Sequence, residues 1–253
     1  MPCAVWESLM SLFWINQLVK YIILITISYI NGLLVRHYGV KVNYTRKINH
    51  FSLFFIPMYI ETLFPYEKSM GPFILGSIFG VFTLIVYIKP FRERLAIIAT
   101  MFLSFDRPED RPYTLAWLST QFLVSALVII PMIILFAQNN IMDLILIPIL
   151  INGIGDGLAE PVGIRFGKYK YTTSGLFIKK KYVRTLEGSA CVFITSIIVV
   201  ALYYAHFSQI QFIVALTLIP IIMTAAEAFS PHTWDSPFLF LVGYLSLYAI
   251  TTI

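Results

Sequence analysis

The stretch INGIGDGLAEPVGIRFGKYK, residues 151–170, joins the end of an apolar run to the most basic segment of the chain, and RTLEG follows at 184–188. Two carboxylates, Asp156 and Glu160, stand at that junction. A charged side chain costs roughly 2.5–3.5 kcal/mol at the centre of a membrane helix and less toward its ends. Seven Lys or Arg follow Asp156 within thirty residues. Acids beside a basic loop at a membrane surface are what a magnesium–nucleotide site needs: oxygen ligands for the metal and cations for the phosphates.

The rest of the chain supplies the apolar context. Its 253 residues are 58% hydrophobic and only 12% charged, against about 25% charged in a soluble domain. Long apolar runs with sparse charge predict an all-α, polytopic integral membrane helical bundle. A transmembrane β-barrel would instead show alternating segments of roughly ten residues. Cys3 and Cys191 are too few and too far apart for a disulfide framework or a cysteine metal site. The N-terminal segment MPCAVWESLMSLFW carries Glu7 and no basic residue before Lys20. That composition fits neither a secretory signal nor a transit peptide, and Trp6 and Trp14 suit an interfacial lead-in.

A spanning helix needs about 20 apolar residues. Eight stretches qualify, near 17–35, 48–64, 71–88, 114–137, 142–160, 186–205, 210–229 and 237–253, the second and last being short and expected to tilt little or thin the bilayer locally. The apolar segment 95–105 is short and lies between KPFRER and DRPEDRP, which predicts an interfacial helix. Eight spans place the loops 36–47, 89–111 and 161–185 on one side, with sixteen of the eighteen basic residues. Only Lys20 and Lys68 fall on the other. The positive-inside rule makes the basic side cytoplasmic, with both termini outside. Asp156, Glu160, Glu187, Glu227 and Asp235 then share the cytoplasmic face, as do Arg46, Lys47 and His50. No internal repeat or linker divides residues 1–253, so one membrane domain is expected, with the nucleotide and metal motif in 151–190.

Asn152, Asp156 and Glu160 are spaced to form one stripe on a helix. Gly153, Gly155, Gly157 and Pro161 argue against a regular helix there, and Pro161 is expected to mark its end. Asp156 is the first candidate metal ligand, with Glu160 or Glu187 second. Arg165, Lys168 and Arg184 are candidate phosphate contacts. Lys179, Lys180 and Lys181 suit anionic lipid headgroups. His50 is a candidate base or phosphate contact, and Asn152, Glu227 and Asp235 are candidates on the substrate side. There is no GxxxxGK[ST] P-loop, Rossmann glycine spacing, HExxH or GxSxG element.

These residues resemble the integral-membrane, CTP-dependent lipid-alcohol kinases, which include dolichol, phytol, farnesol and yeast-type diacylglycerol kinases. Phosphatidate cytidylyltransferases are their distant relatives. The family pattern places an acid, Ala at +3 and Gly at +7 and +11, then a basic-Ser/Thr-x-Glu-Gly element. Asp156, Ala159, Gly163 and Gly167 fit the first part, and Arg184, Thr185, Glu187 and Gly188 the second. GDGLAEPVG is most similar to the phytol-kinase branch. Arg46, Lys47 and His50 resemble the family's early Arg-Lys-x-x-His element. Here the linker from Gly167 to Arg184 is long, and Val183 stands where a second basic residue is common.

The resemblance implies transfer of the γ-phosphoryl group of CTP, with magnesium, to a lipid alcohol such as an isoprenoid alcohol or diacylglycerol. Gly163, Gly167, Lys168, Arg184, Thr185, Gly188, Arg46 and Lys47 would then face the nucleotide. Glu160 or Glu187 would orient the lipid hydroxyl. The alternatives are a cytidylyltransferase making a CDP-lipid and a transporter with a discontinuous helix at 153–157. Lipid alcohol, cytoplasmic nucleotide and anionic headgroups are the expected partners, with no nucleic acid. Small-residue helix faces admit a homodimer. The compact chain points to a prokaryotic plasma membrane.

Overall fold

The computed structural model describes residues 3–66, 70–176 and 179–253, the side chains of 3–11, Met70 and Phe73 apart. Cys3, Trp6, Glu7 and Lys68 therefore lie outside the described side chains. The chain is mostly helical and divides into two compact units, Met1–Ser119 and Thr120–Ile253.

The first unit holds α1 (Cys3–Tyr38), α2 (Val42–Leu63), α3 (Met70–Ile85), α4 (Lys89–Arg94) and α5 (Ala96–Leu103). α5, the segment expected at the interface, packs on α1 and buries Thr100, Met101 and Phe102. Gly32 permits this crossing: a Cβ there would meet the Thr100 carbonyl oxygen at 1.9 Å. A polar seam ties α1 and α2 to the end of α5. Asn31 Nδ2 donates to Asn49 Oδ1 at 2.8 Å, and Asn49 Nδ2 donates to Ser104 Oγ at 2.6 Å. Thr45 Oγ1 donates to the Ser104 carbonyl at 2.8 Å. Buried amides and hydroxyls satisfied by one another in this way rigidify an otherwise apolar interior.

α6 (Thr114–Gln138) leads into the second unit. A 3₁₀ turn at Met142–Leu144 and α7 (Leu146–Leu150) precede a π-helical turn, Ile151–Asp156, and α8 (Gly157–Phe166). The 153–157 glycines thus widen the helix locally but do not break it. α8 runs through Pro161 to Phe166, so the expected end at that proline is corrected. Packing against the next helix overrides the local preference. Two strands follow, β1 (Lys170–Ser174) and β2 (Lys181–Thr185), paired antiparallel with Lys170 opposite Thr185 and Ser174 opposite Lys181. An all-α expectation missed this hairpin. α9 (Leu186–Leu202), α10 (Gln209–Phe229) and α11 (Asp235–Thr251) complete the unit.

All eight apolar stretches are thus helical. Among the described residues, four helical segments are long and apolar enough to cross a membrane: Leu12–Tyr38, Thr114–Gln138, Met142–Phe166 and Gln209–Phe229. Ile74–Ile85, Leu186–Leu202 and Asp235–Thr251 are apolar but shorter. These lengths and compositions are compatible with a membrane protein.

Candidate functional site

Small residues bring α8 and α9 together. Gly188 lies under the Ala159 carbonyl, where a Cβ would sit 2.7 Å from that oxygen. At Gly155 a Cβ would meet the Val192 Cα at 2.9 Å. Gly163 and Gly167 both face Thr185, with Cβ positions 2.7 Å from its Oγ1 and 2.5 Å from its Cγ2. Thr185 is also the N-cap of α9, its Oγ1 accepting from the Gly188 backbone N–H at 3.1 Å. Gly163, Gly167, Thr185 and Gly188, expected to face the nucleotide, here pack the strand–helix junction against α8. Their smallness has a packing reason.

That junction delivers Arg184, next to Thr185 on β2, into a cluster of acids. Its Nη1 donates to Glu227 Oε1 at 2.8 Å and also to the Glu227 backbone carbonyl. Its Nη2 lies 3.7 Å from Asp235 Oδ2 and 3.4 Å from Ser230 Oγ. Glu227 ends α10 and Asp235 opens α11, so the connection between these helices wraps the guanidinium. Asp156, at the close of the π-helical turn, is within electrostatic reach of both Arg184 and Glu227. Burial alone would lower the Arg184 pKa, but Asp235, Glu227 and Asp156 together hold it above the ordinary arginine value. Asp156 and Glu227 are 5% and 4% exposed, so this is a buried site with three carboxylates around one arginine.

A second layer of polar groups fixes these side chains. Ser189 Oγ donates to Glu227 Oε2 at 2.7 Å. The single Ser189 hydroxyl proton is thereby committed, so in the 2.6 Å contact of Tyr171 OH with Ser189 Oγ the tyrosine is the donor. Burial pushes the Tyr171 phenol above its ordinary pKa, which keeps that proton in place. On the other flank Gln121 Nε2 donates to Ser236 Oγ at 2.9 Å and approaches Asp235 Oδ1 at 3.4 Å. Ser236 Oγ in turn donates to Asn152 Oδ1 at 3.4 Å. Sequence reasoning missed Tyr171, Ser189, Ser230, Gln121 and Ser236. Only Ser189 carried a signal, one helical turn beyond the Thr185 cap.

Asp156, Arg184, Glu227, Asp235 and Asn152 are therefore brought together. Glu160 lies four residues past Asp156 on α8. Glu187 does not join them. Its Oε1 accepts from the Lys168 and Tyr169 backbone N–H groups at 2.9 and 3.3 Å, tying the α8–β1 connection to α9. Arg165, at the end of α8, and Lys168 are exposed. Arg46, Lys47 and His50 belong to α2 in the first unit, where Lys47 is buried and the His50 ring lies 4.8 Å from that of Phe54. Among the described residues no three His, Cys, Asp or Glu converge on one point as a ligand set. Magnesium needs only one or two carboxylates beside phosphate and water oxygens. More carboxylates than arginines gather at Asp156, a charge balance that a cation would offset. The chain matches no protein-family model, no curated protein and no solved structure.

Proposed function

We propose that this protein is a CTP-dependent kinase of membrane lipid alcohols. The observation that carries the reading is the set of buried Asp156 and Glu227 with half-buried Asp235 around Arg184, next to the end of the apolar segment Met142–Phe166. Such a set holds more anionic charge than one arginine offsets. Phosphoryl transfer relies on positioning and electrostatic stabilisation of its phosphate oxygens, with in-line attack. Arg184, held on two sides by Glu227 and Asp235, would offer its remaining N–H groups to a phosphate. Asp156 would hold magnesium, which when bound supplies charge neutralisation on the phosphates. With Glu187 engaged by backbone amides, Glu160 takes the role of orienting the lipid hydroxyl.

In this reading all eight apolar helices cross the bilayer, and 95–105 lies near its surface. The site opens to the cytoplasm, both termini lie outside, and the membrane is a prokaryotic plasma membrane. The nucleotide arrives from water and the alcohol from the bilayer.

The test is label transfer by the purified protein, with CTP or ATP, a divalent cation and a panel of isoprenoid alcohols, diacylglycerol and phosphatidate. Label from the γ-phosphate in the lipid product, dependent on the divalent ion, is the expected result. Label entering a phosphatidate only from the α-phosphate would replace the kinase with a cytidylyltransferase. Absence of any transfer across the panel would remove the enzyme reading.

A further inference from the structure

The basic segment that carries Arg184 inward also presents a second face. From Arg165 to Leu186 the sequence has no Asp or Glu. Lys168, Lys170, Lys179, Lys180 and Lys181 are all exposed there. Apolar side chains stand exposed among them: Phe166 is 60%, Tyr169 69%, Val183 64% and Leu186 58% exposed. On β2 the alternation turns Lys181 and Val183 outward while Tyr182 and Arg184 turn inward. The inner face is docked. The Tyr182 ring stacks on His232 at 3.6 Å, and Thr173 Oγ1 donates to the Ser230 carbonyl at 2.8 Å. The His232 N–H donates to the Ser174 carbonyl at 2.9 Å.

The hairpin grows from the end of α8, the last turn of the apolar segment Met142–Phe166, and feeds straight into α9. A two-stranded hairpin is marginal by itself. Its outer face mixes lysines with exposed aromatic and aliphatic side chains next to the end of an apolar helix, the combination an anionic bilayer surface takes. Nucleotide phosphates would call for the lysines but not for Phe166, Tyr169, Val183 and Leu186.

We infer that the outer face of the hairpin docks on anionic phospholipid headgroups, and that this docking holds β2, and with it Arg184, in the acid cluster. The regulatory half of this inference rests on the proposed function of that cluster; the lipid surface does not. The membrane's own charge would thus govern how firmly Arg184 is held.

Amide hydrogen exchange of residues 170–185 tests it, on the full chain in nanodiscs of phosphatidylcholine alone or mixed with phosphatidylglycerol. Exchange through Arg184 is expected to slow roughly fivefold or more with the anionic lipid, the equivalent of one lysine engaged at a charged surface. The triple variant K179Q/K180Q/K181Q should lose most of that protection while keeping the phosphatidylcholine rate. Equal exchange in both discs overturns the inference. So does equal, lysine-dependent protection by inorganic tripolyphosphate in neutral discs, which would make nucleotide phosphate the occupant. Protection by anionic lipid in a protein that transfers no phosphoryl group would sink the kinase reading and leave the lipid surface standing.

Discussion

Arg184 and Asp156 occupy one cluster but act on stability in opposite ways. Arg184 is the cation that Glu227 and Asp235 share, with its side chain 11% exposed. Removing one partner of a buried pair leaves the other uncompensated and costs about 3–5 kcal/mol. Arg184→Met should lower the thermal midpoint in detergent accordingly, and adding Glu227→Gln should restore much of the loss without restoring transfer. A double variant no more stable than Arg184→Met would show that the pair is not the source of the effect. Asp156 is one of three acids around a single arginine, so Asp156→Asn relieves like-charge repulsion. Its thermal midpoint should hold or rise. The sequence made Asp156 and Arg184 legible because acids at an apolar boundary are conspicuous. Glu187 stood at an equally conspicuous place, yet it serves the backbone of Lys168 and Tyr169. Spacing alone does not reveal which way a carboxylate turns.

At the scale of elements, the α8–α9 contact and the β2–α9 junction determine where Arg184 goes. Thr185→Ala removes the cap on Gly188 and should cost about 1 kcal/mol, while Thr185→Ser should cost much less. Gly188→Ala would drive a Cβ against the Ala159 backbone carbonyl at 2.7 Å. Backbone cannot yield as a side chain can, so a loss of about 1–3 kcal/mol is expected. Denaturation of the variants in detergent measures both; an unchanged midpoint for Gly188→Ala would mean the helices cross less closely than described. The helices themselves were readable from apolar length. The hairpin was readable too: KYTTS and KYVRT are rich in Tyr, Thr and Val and flank a turn containing Gly175. Its charge made it pass for a loop. Pro161 misled because a proline's local cost says nothing of the close packing on α9 that holds α8 helical around it.

For the whole molecule, the distribution of basic residues along the chain is the main constraint on the eight-span reading. Sixteen of eighteen basic residues fall in the three segments 36–47, 89–111 and 161–185, which the eight-span reading would place on one side. The shortness of Asp235–Thr251 was legible in its apolar stretch, whereas that of Leu186–Leu202 as a helix was not. Apolar runs continue past a helix end without changing composition. With Cys3 and Cys191 replaced by Ser, a cysteine at Ser174 should react with an impermeant thiol reagent only from the cytoplasmic side. One at Asn139 should react only from outside. Labelling of both from the same side would refute the span count.

The most direct measurement compares Asp156→Asn with the unaltered chain in transfer of the γ-phosphoryl label from CTP to a lipid alcohol, alongside their thermal midpoints. The account predicts phosphorylated lipid from the unaltered chain, none above background from the variant, and no loss of thermal stability. Near-normal turnover by Asp156→Asn would contradict it.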